Sequence, residues 1–362
     1  MRISIFLTGL IFTRAFVFAQ EPAKDDATMR SRVPSVTKDE SKISSKKAHY
    51  FQSEWIETNS KKVDVDLCIY GGTAAGVIAA RVAAKRGLSA VILQPGIVLG
   101  GMTTAGLGWT DYGKQHVIGG AARQFYRDCG TFYGKNEEEW LFEPHAAQAV
   151  IDGYAKESGA QVFLRQFLDT VEMEGQRIKR IRCLGGLTVT ARMFMDATYE
   201  GDLMAKAGVR YTVGREANSV YGETINGVQV HDKHQFSHAV DPYVKPGNPA
   251  SGTLPYVNQQ DAPPNGSGDH RLQAYNFRMC LTDDPKLKVN WEKPEGYRDL
   301  DYELARRWFN SDKDAYNDQL PNYAGRPSGL IKKFDVLTAR TADGYFKTDA
   351  NNHGPVSTDF IG

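Results

Sequence analysis

Apolar residues in this chain fall into blocks of strand and helix length, separated by glycine turns. The first block, within Asp66–Tyr70, ends at Gly71-Gly72; Val77–Arg86 follows as an alanine-rich helix and Ser89–Leu93 as a second strand. Ala121–Cys129 and Pro144–Ser158 have helical character. Gln161–Phe167, Arg177–Leu184 and Thr188–Met195 have the length of strands, with turns at Glu174-Gly175 and Gly185-Gly186. A short helix is expected at Leu203–Ala207, a strand at Gln273–Leu281 and a helix at Asp301–Phe309. Strands alternating with helices predict an α/β fold.

Two long stretches lack this periodicity. Pro95–Gly120 is glycine-rich yet apolar and aromatic, which points to a functional loop segment. From Gly208 to about Gly268 the chain is loop-like, with six prolines between positions 242 and 264.

The junction from Asp66 to Gly76 carries the most chemical information. A strand, a glycine turn and a helix in that order make the opening of a dinucleotide-binding unit. Its glycines let the backbone approach a pyrophosphate, while the N–H groups of the helix start face the negative charge. In the GxGxxG register Gly71 and Gly76 fit, and Thr73 replaces the middle glycine. Gln94 ends the second strand, close to the ~20 residues at which that motif sets an acid on the ribose. The competing reading is a tight turn in another kind of α/β protein.

Charge and cysteine narrow the field. A net charge of +1 with no basic patch argues against a nucleic-acid partner. Cys68, Cys129, Cys183 and Cys280 lie far apart with no CxxC, so no metal site is expected; Cys68 and Cys183 fall in strands as buried thiols. Residues 1–19 read as an export signal, with Arg2, the apolar Ile3–Phe12 and Val17-Phe18-Ala19 before Gln20; Arg14 interrupts the run, and the alternatives are an uncleaved anchor or a mis-assigned start codon. The stretch is too short to span a bilayer, so no membrane span is expected in the mature chain. Residues 20–62 are polar and read as a flexible leader.

The order of motifs resembles the FAD-dependent oxidoreductases of the glutathione-reductase-like group, and more closely a bacterial family of exported members. The carrying motifs are Tyr70–Gly76, Gly100–Asp111, Phe142-Glu143-Pro144-His145, Asp196–Asp202, Ala274–Arg278 and Asn351-Asn352-His353-Gly354. The resemblance implies a Rossmann-like FAD-binding domain over 63–208, a parallel sheet with a three-stranded meander, and a less regular substrate region over 209–362. It implies that Gly71, Gly72, Thr73, Ala75 and Gly76 surround the FAD pyrophosphate and that Gln94, where relatives carry Glu, meets the adenosine ribose. Gly100, Gly101 and Met102 approach the ribityl chain or ring, Leu168 offers its main chain to the adenine, and Asp196, Ala197 and Thr198 meet the nucleotide. Without the resemblance, Asp196 and Thr198 read as a helix cap. Relatives continue past the Asn-Asn-His-Gly block with the segment that closes the FAD site, so the resemblance implies a C-terminally truncated chain.

Flavin chemistry asks the protein to place a substrate C–H and to manage a proton. His353 and His145 are the candidates for the proton. Arg278 is a candidate for a substrate carboxylate or for a structural ion pair. The expected activity is hydride transfer from a small organic or sugar-derived substrate to FAD, with an unknown electron acceptor. The alternatives are a carbohydrate-processing enzyme such as a polysaccharide lyase, resting on His353, Tyr275 and Arg278, and a non-catalytic remnant.

Overall fold

The computed structural model describes residues 53–106, 110, 113–230, 239–272, 275–276, 280–289, 292–310, 335–336, 344–349 and 359–360. A six-stranded sheet organises the first part of the chain. Its strands are β1 (Lys62–Tyr70), β2 (Ala90–Gln94), β3 (Gln161–Leu164), β4 (Leu168–Glu174), β5 (Arg177–Cys183) and β6 (Thr188–Asp196), in the order β3-β2-β1-β6-β5-β4. The first four in that order run parallel, and β5 and β4 complete the sheet antiparallel to their neighbours.

Strand alternation separates two apolar layers. Ile69, Ala90 and Ile92 face α1 (Ala74–Lys85), α2 (Gly120–Phe132) and α3 (Pro144–Ser158), packing with Val77, Ala80, Phe125, Ile151 and Tyr154. Cys68, Tyr70, Val91 and Leu93 pack on the other side with Leu168, Ile181, Cys183 and Leu187 from the meander. Arg81 fastens α1 to α3, lying 3.8 Å above the Tyr154 ring and donating to Glu157 at 2.7 Å. Cys68, Cys129 and Cys183 are buried free thiols, and burial pushes Cys129 and Cys183 up to about 12. Among the described residues no helix is long and apolar enough to cross a membrane.

Several elements differ from the sequence expectation. Helix α1 begins at Ala74 rather than Val77, because Thr73 caps it with its hydroxyl. Strand β2 runs Ala90–Gln94, one residue later than expected, and α2 extends to Phe132. The expected strand Gln161–Phe167 stops at Leu164, where Arg165 turns the chain with φ of 56°. A new strand, β4, follows and pairs antiparallel with β5, so the meander is β4-β5-β6 and β3 belongs to the parallel layer.

Beyond β6 come α4 (Asp202–Lys206) and α5 (Asn218–Tyr221), the latter inside the stretch expected to be loop. The strand expected over Gln273–Leu281 is two short ones. β7 (Tyr275–Asn276) pairs with β11 (Asp359–Phe360), whereas β8 (Cys280–Thr282) pairs with β10 (Lys347–Asp349), which also pairs with β9 (Asp335–Val336). Helix α6 (Glu303–Phe309) follows a 3-10 turn at Asp299–Tyr302.

Candidate functional site

Three backbone segments converge at the carboxyl ends of β1, β2 and β6, the edge where open α/β sheets bind ligands. The first is the turn from β1 into α1. Gly71 takes φ of 106° and donates to the Leu93 carbonyl at 2.8 Å. A Cβ on Gly71 would fall 2.6 Å from the Ala197 backbone, so only glycine lets β6 approach this closely. Thr73 accepts from the Gly76 N–H at 3.4 Å and donates to the Ala197 carbonyl at 2.8 Å, tying the helix start to the end of β6. Ala75, at the second position of α1, is exposed, and its N–H has no acceptor among the described residues.

The second segment runs from the end of β2. Gln94 bonds in two directions: its side-chain oxygen accepts from the Gly72 N–H at 2.7 Å, and its amide nitrogen donates to the Val98 carbonyl at 3.0 Å. Gly100 N–H reaches back to the Gly72 carbonyl at 2.7 Å, and a 3-10 turn covers Gly101–Thr103. Thr104 holds that turn by donating to the Leu99 carbonyl at 2.6 Å.

The third segment leaves β6. Ala197 N–H donates to the Tyr70 carbonyl at 2.7 Å. Asp196 accepts from the Thr198 N–H and hydroxyl on one oxygen and from the Met204 N–H on the other, at 3.0, 2.6 and 2.9 Å. Both carboxylate oxygens therefore fix the turn into α4. Tyr199 next crosses to the second segment, where its hydroxyl accepts from the Met102 N–H at 2.8 Å. A side chain on Gly101 would overlap that hydroxyl. In the sequence the signal for Tyr199 is its place directly after the Asp-Ala-Thr strand end.

Of the expected site residues, Gly71, Gly72, Thr73, Ala75, Gly76, Gln94, Gly100, Gly101, Met102, Asp196, Ala197 and Thr198 line this one edge. Leu168 lies at the start of β4, buried, and its N–H donates to the Tyr70 hydroxyl at 2.9 Å. His353 and Arg278 lie outside the described residues. A helix start with an N–H that has no acceptor among the described residues complements a diphosphate. The residues present therefore fit a dinucleotide such as FAD.

A cluster of ionisable groups stands at the same edge, because α3 runs back antiparallel to the parallel strands and begins where they end. Phe142, just before it, is buried with Leu99 and Ala197. Glu143 stands at the residue before the first turn of α3 without bonding to it through its side chain, and is nearly enclosed; it accepts from the Tyr133 hydroxyl at 3.1 Å and from the Lys347 ammonium at 2.6 Å. His145 Nδ1 lies 4.0 Å from the Glu143 carboxylate, and its ring meets Phe132 edge-on at 5.6 Å. Burial pulls the His145 pKa down, Glu143 partly opposes this, and Lys347 adds to the fall. Burial, with Glu143 beside it, pushes the Tyr133 hydroxyl well above its ordinary value. Lys347 had no signal in the sequence, because its partner lies on a distant segment. Among the described residues no three His, Cys, Asp or Glu side chains gather to hold a metal ion.

A profile of the family described as "FAD dependent oxidoreductase" matches residues 66–359. Among solved structures the chain is similar to L-proline dehydrogenase from P. horikoshii, at 15% identity and TM-score 0.34, over 43% of this chain and 59% of that one. It is similar to THI4 of Thermovibrio ammonificans, at 23% identity and TM-score 0.31, over 46% of this chain and 74% of that one. A third likeness is to L-amino acid deaminase from Proteus vulgaris, at 14% identity and TM-score 0.30, over 44% and 54% of the two chains. The match spans less than two thirds of the length of the proline dehydrogenase and of the deaminase.

Proposed function

Since the chain belongs to the FAD dependent oxidoreductase family, we propose that it oxidises a small organic or sugar-derived substrate by hydride transfer. FAD is the cofactor, and when bound it supplies a two-electron acceptor for a substrate C–H. The observation that supports this most is the convergence of the three segments on the turn from β1 into α1, where Ala75 is exposed and its N–H has no acceptor among the described residues.

In this reading the start of α1 carries the diphosphate, with partial positive charge from the helix dipole at Ala75. Thr73 and Gln94 hold the loop in place through the bonds to Ala197, Gly72 and Val98. The turn Gly101–Thr103, tied to Tyr199, positions the ring end of the cofactor. His145 accepts the substrate proton that is released as the C–H is oxidised. Burial lowers its pKa, which favours the neutral imidazole that a proton acceptor needs.

Export is part of the same proposal, supported by the sequence of residues 1–19 alone. The test is to purify the chain, record its visible spectrum, and add FAD. Oxidised-flavin bands that remain after gel filtration, and that bleach anaerobically with a compound from a panel of amino acids and sugars, are the expected result. A folded chain that stays colourless with added FAD would overturn the reading.

A further inference from the structure

Glu143 offers one carboxylate oxygen to two different bases. Oε1 sits 2.6 Å from the Lys347 ammonium and 4.0 Å from His145 Nδ1, while Oε2 is held by the Tyr133 hydroxyl at 3.1 Å. The ammonium is within direct contact and the imidazole is beyond hydrogen-bond range. The carboxylate is nearly buried, with its side chain 9% exposed, whereas that of His145 is 46% exposed. A buried carboxylate needs a positive partner. Lys347 fills that need at direct contact, so the pull of Glu143 on a proton at His145 is opposed by the repulsion of the ammonium, on top of the burial that already disfavours the charged ring.

We propose that Lys347 is a positioning residue that keeps His145 in its neutral, proton-accepting form by occupying Glu143. The proposal rests on the reading of His145 as the proton acceptor and adds what controls it. It also makes that control remote in sequence. Lys347 opens β10, which is paired with β8 and β9, so its share of the control over the imidazole reaches the start of α3 from that small sheet.

Among the described residues, the charged and titratable groups facing the imidazole are Glu143 from the α3 start and Lys347 from β10. Tyr133, after α2, lies behind Glu143, and Phe132 contributes an uncharged ring edge. Removing Lys347 leaves Glu143 without its cation and removes a like charge from His145. Both changes favour imidazolium. An opposite charge at this range shifts a pKa by about 1–3 units when it is not otherwise paired.

The experiment is an NMR titration of the His145 ring in the FAD-free chain, with the resonance assigned by its loss in His145→Gln. Lys347→Met is expected to raise the titration midpoint by about one unit or more, and Lys347→Arg to restore it. Adding Glu143→Gln to Lys347→Met is expected to cancel the rise. Equal midpoints in the parent chain and a folded Lys347→Met variant would overturn the proposal. So would a rise that persists in the double variant. If Lys347→Met fails to fold, Glu143→Gln with Lys347 intact gives the second test: it must not raise the midpoint, and a rise would refute the shared carboxylate.

The two readings fail separately. A pH profile of flavin bleaching that stays put while the His145 midpoint moves would refute His145 as the proton acceptor and leave the role of Lys347 standing. An unmoved midpoint refutes Lys347 whatever the profile does.

Discussion

Replacing Thr73 by Val removes one hydroxyl from the junction of α1 and β6 while keeping the side chain's shape. That hydroxyl donates to the Ala197 carbonyl at 2.8 Å and accepts from the Gly76 N–H at 3.4 Å; Thr73 is 7% exposed and Ala197 8%. Losing the first bond leaves a buried carbonyl without a donor, at a cost of ~1–3 kcal/mol. The second bond is long, so its capping contribution sits near the low end, ~0.5 kcal/mol. The sum is about 1.5–3.5 kcal/mol, which for a domain of this size lowers Tm by ~3–14 °C. The assay is urea unfolding of the FAD-free chain with Thr73→Val and Thr73→Ser side by side. Ser retains both bonds and is expected to stay within ~1 kcal/mol of the parent. A Val variant within ~0.5 kcal/mol of the parent, or a Ser variant as unstable as Val, would refute the reasoning.

Gln94→Glu keeps the acceptor for Gly72 but turns the donor to Val98 into a second acceptor; a loss of ~1–2 kcal/mol by urea unfolding is expected at pH 7 and none if the bond to Val98 is immaterial. Tyr199→Phe removes the acceptor of the Met102 N–H at an exposed position, so stability should change by under ~1 kcal/mol while FAD affinity, followed by fluorescence titration, falls; unchanged affinity would separate Tyr199 from the site. Asp66 takes two bonds from Ser89 and one from Arg192, and the Ser89 N–H first among them holds its carboxyl down to about 2. A carboxyl depressed in the folded state stabilises above the unfolded value of ~3.9 and loses that contribution as pH falls through the folded one. Asp66→Asn should therefore be less stable than the parent at pH 6, with the gap closing between pH ~4 and ~2; a gap independent of pH would refute the assignment.

What the sequence made legible follows the range of the interactions involved. The β1–turn–α1 unit could be read because its strand, glycines and alanines are contiguous. Even there the helix begins three residues before Val77, because the cap at Thr73 acts through a single hydroxyl that leaves no periodic signal. Strand β4 has no apolar signature in the sequence because only Leu168 of its seven residues is buried; Asp169, Glu172 and Glu174 give it the polarity of a turn. Arg165, a non-glycine residue at positive φ, broke what read as one strand. The run near Tyr275–Leu281 gave no hint that its two ends pair with different strands far downstream. His145 was recognisable as chemistry, whereas the Glu143 oxygen it shares with Lys347 exists only in the folded chain.

The polar side chains at the sheet edge act mostly on the chain itself. Gln94 joins two stretches of backbone, Asp196 closes the turn into α4, and Thr73 joins α1 to β6. None of these bonds uses the Ala75 N–H, which has no acceptor among the described residues, and Tyr199 holds the glycine turn through the Met102 N–H. A site of that kind recognises its ligand through the position of the backbone, and its affinity depends on rigidity more than on any one contacting group. Substitutions at Thr73, Gln94 and Tyr199 should thus weaken FAD binding even though each bonds to protein in the FAD-free chain. Their effects should fall short of additive when combined, because all three hold one unit. Full additivity of the three binding losses would instead mean that each residue touches the cofactor independently.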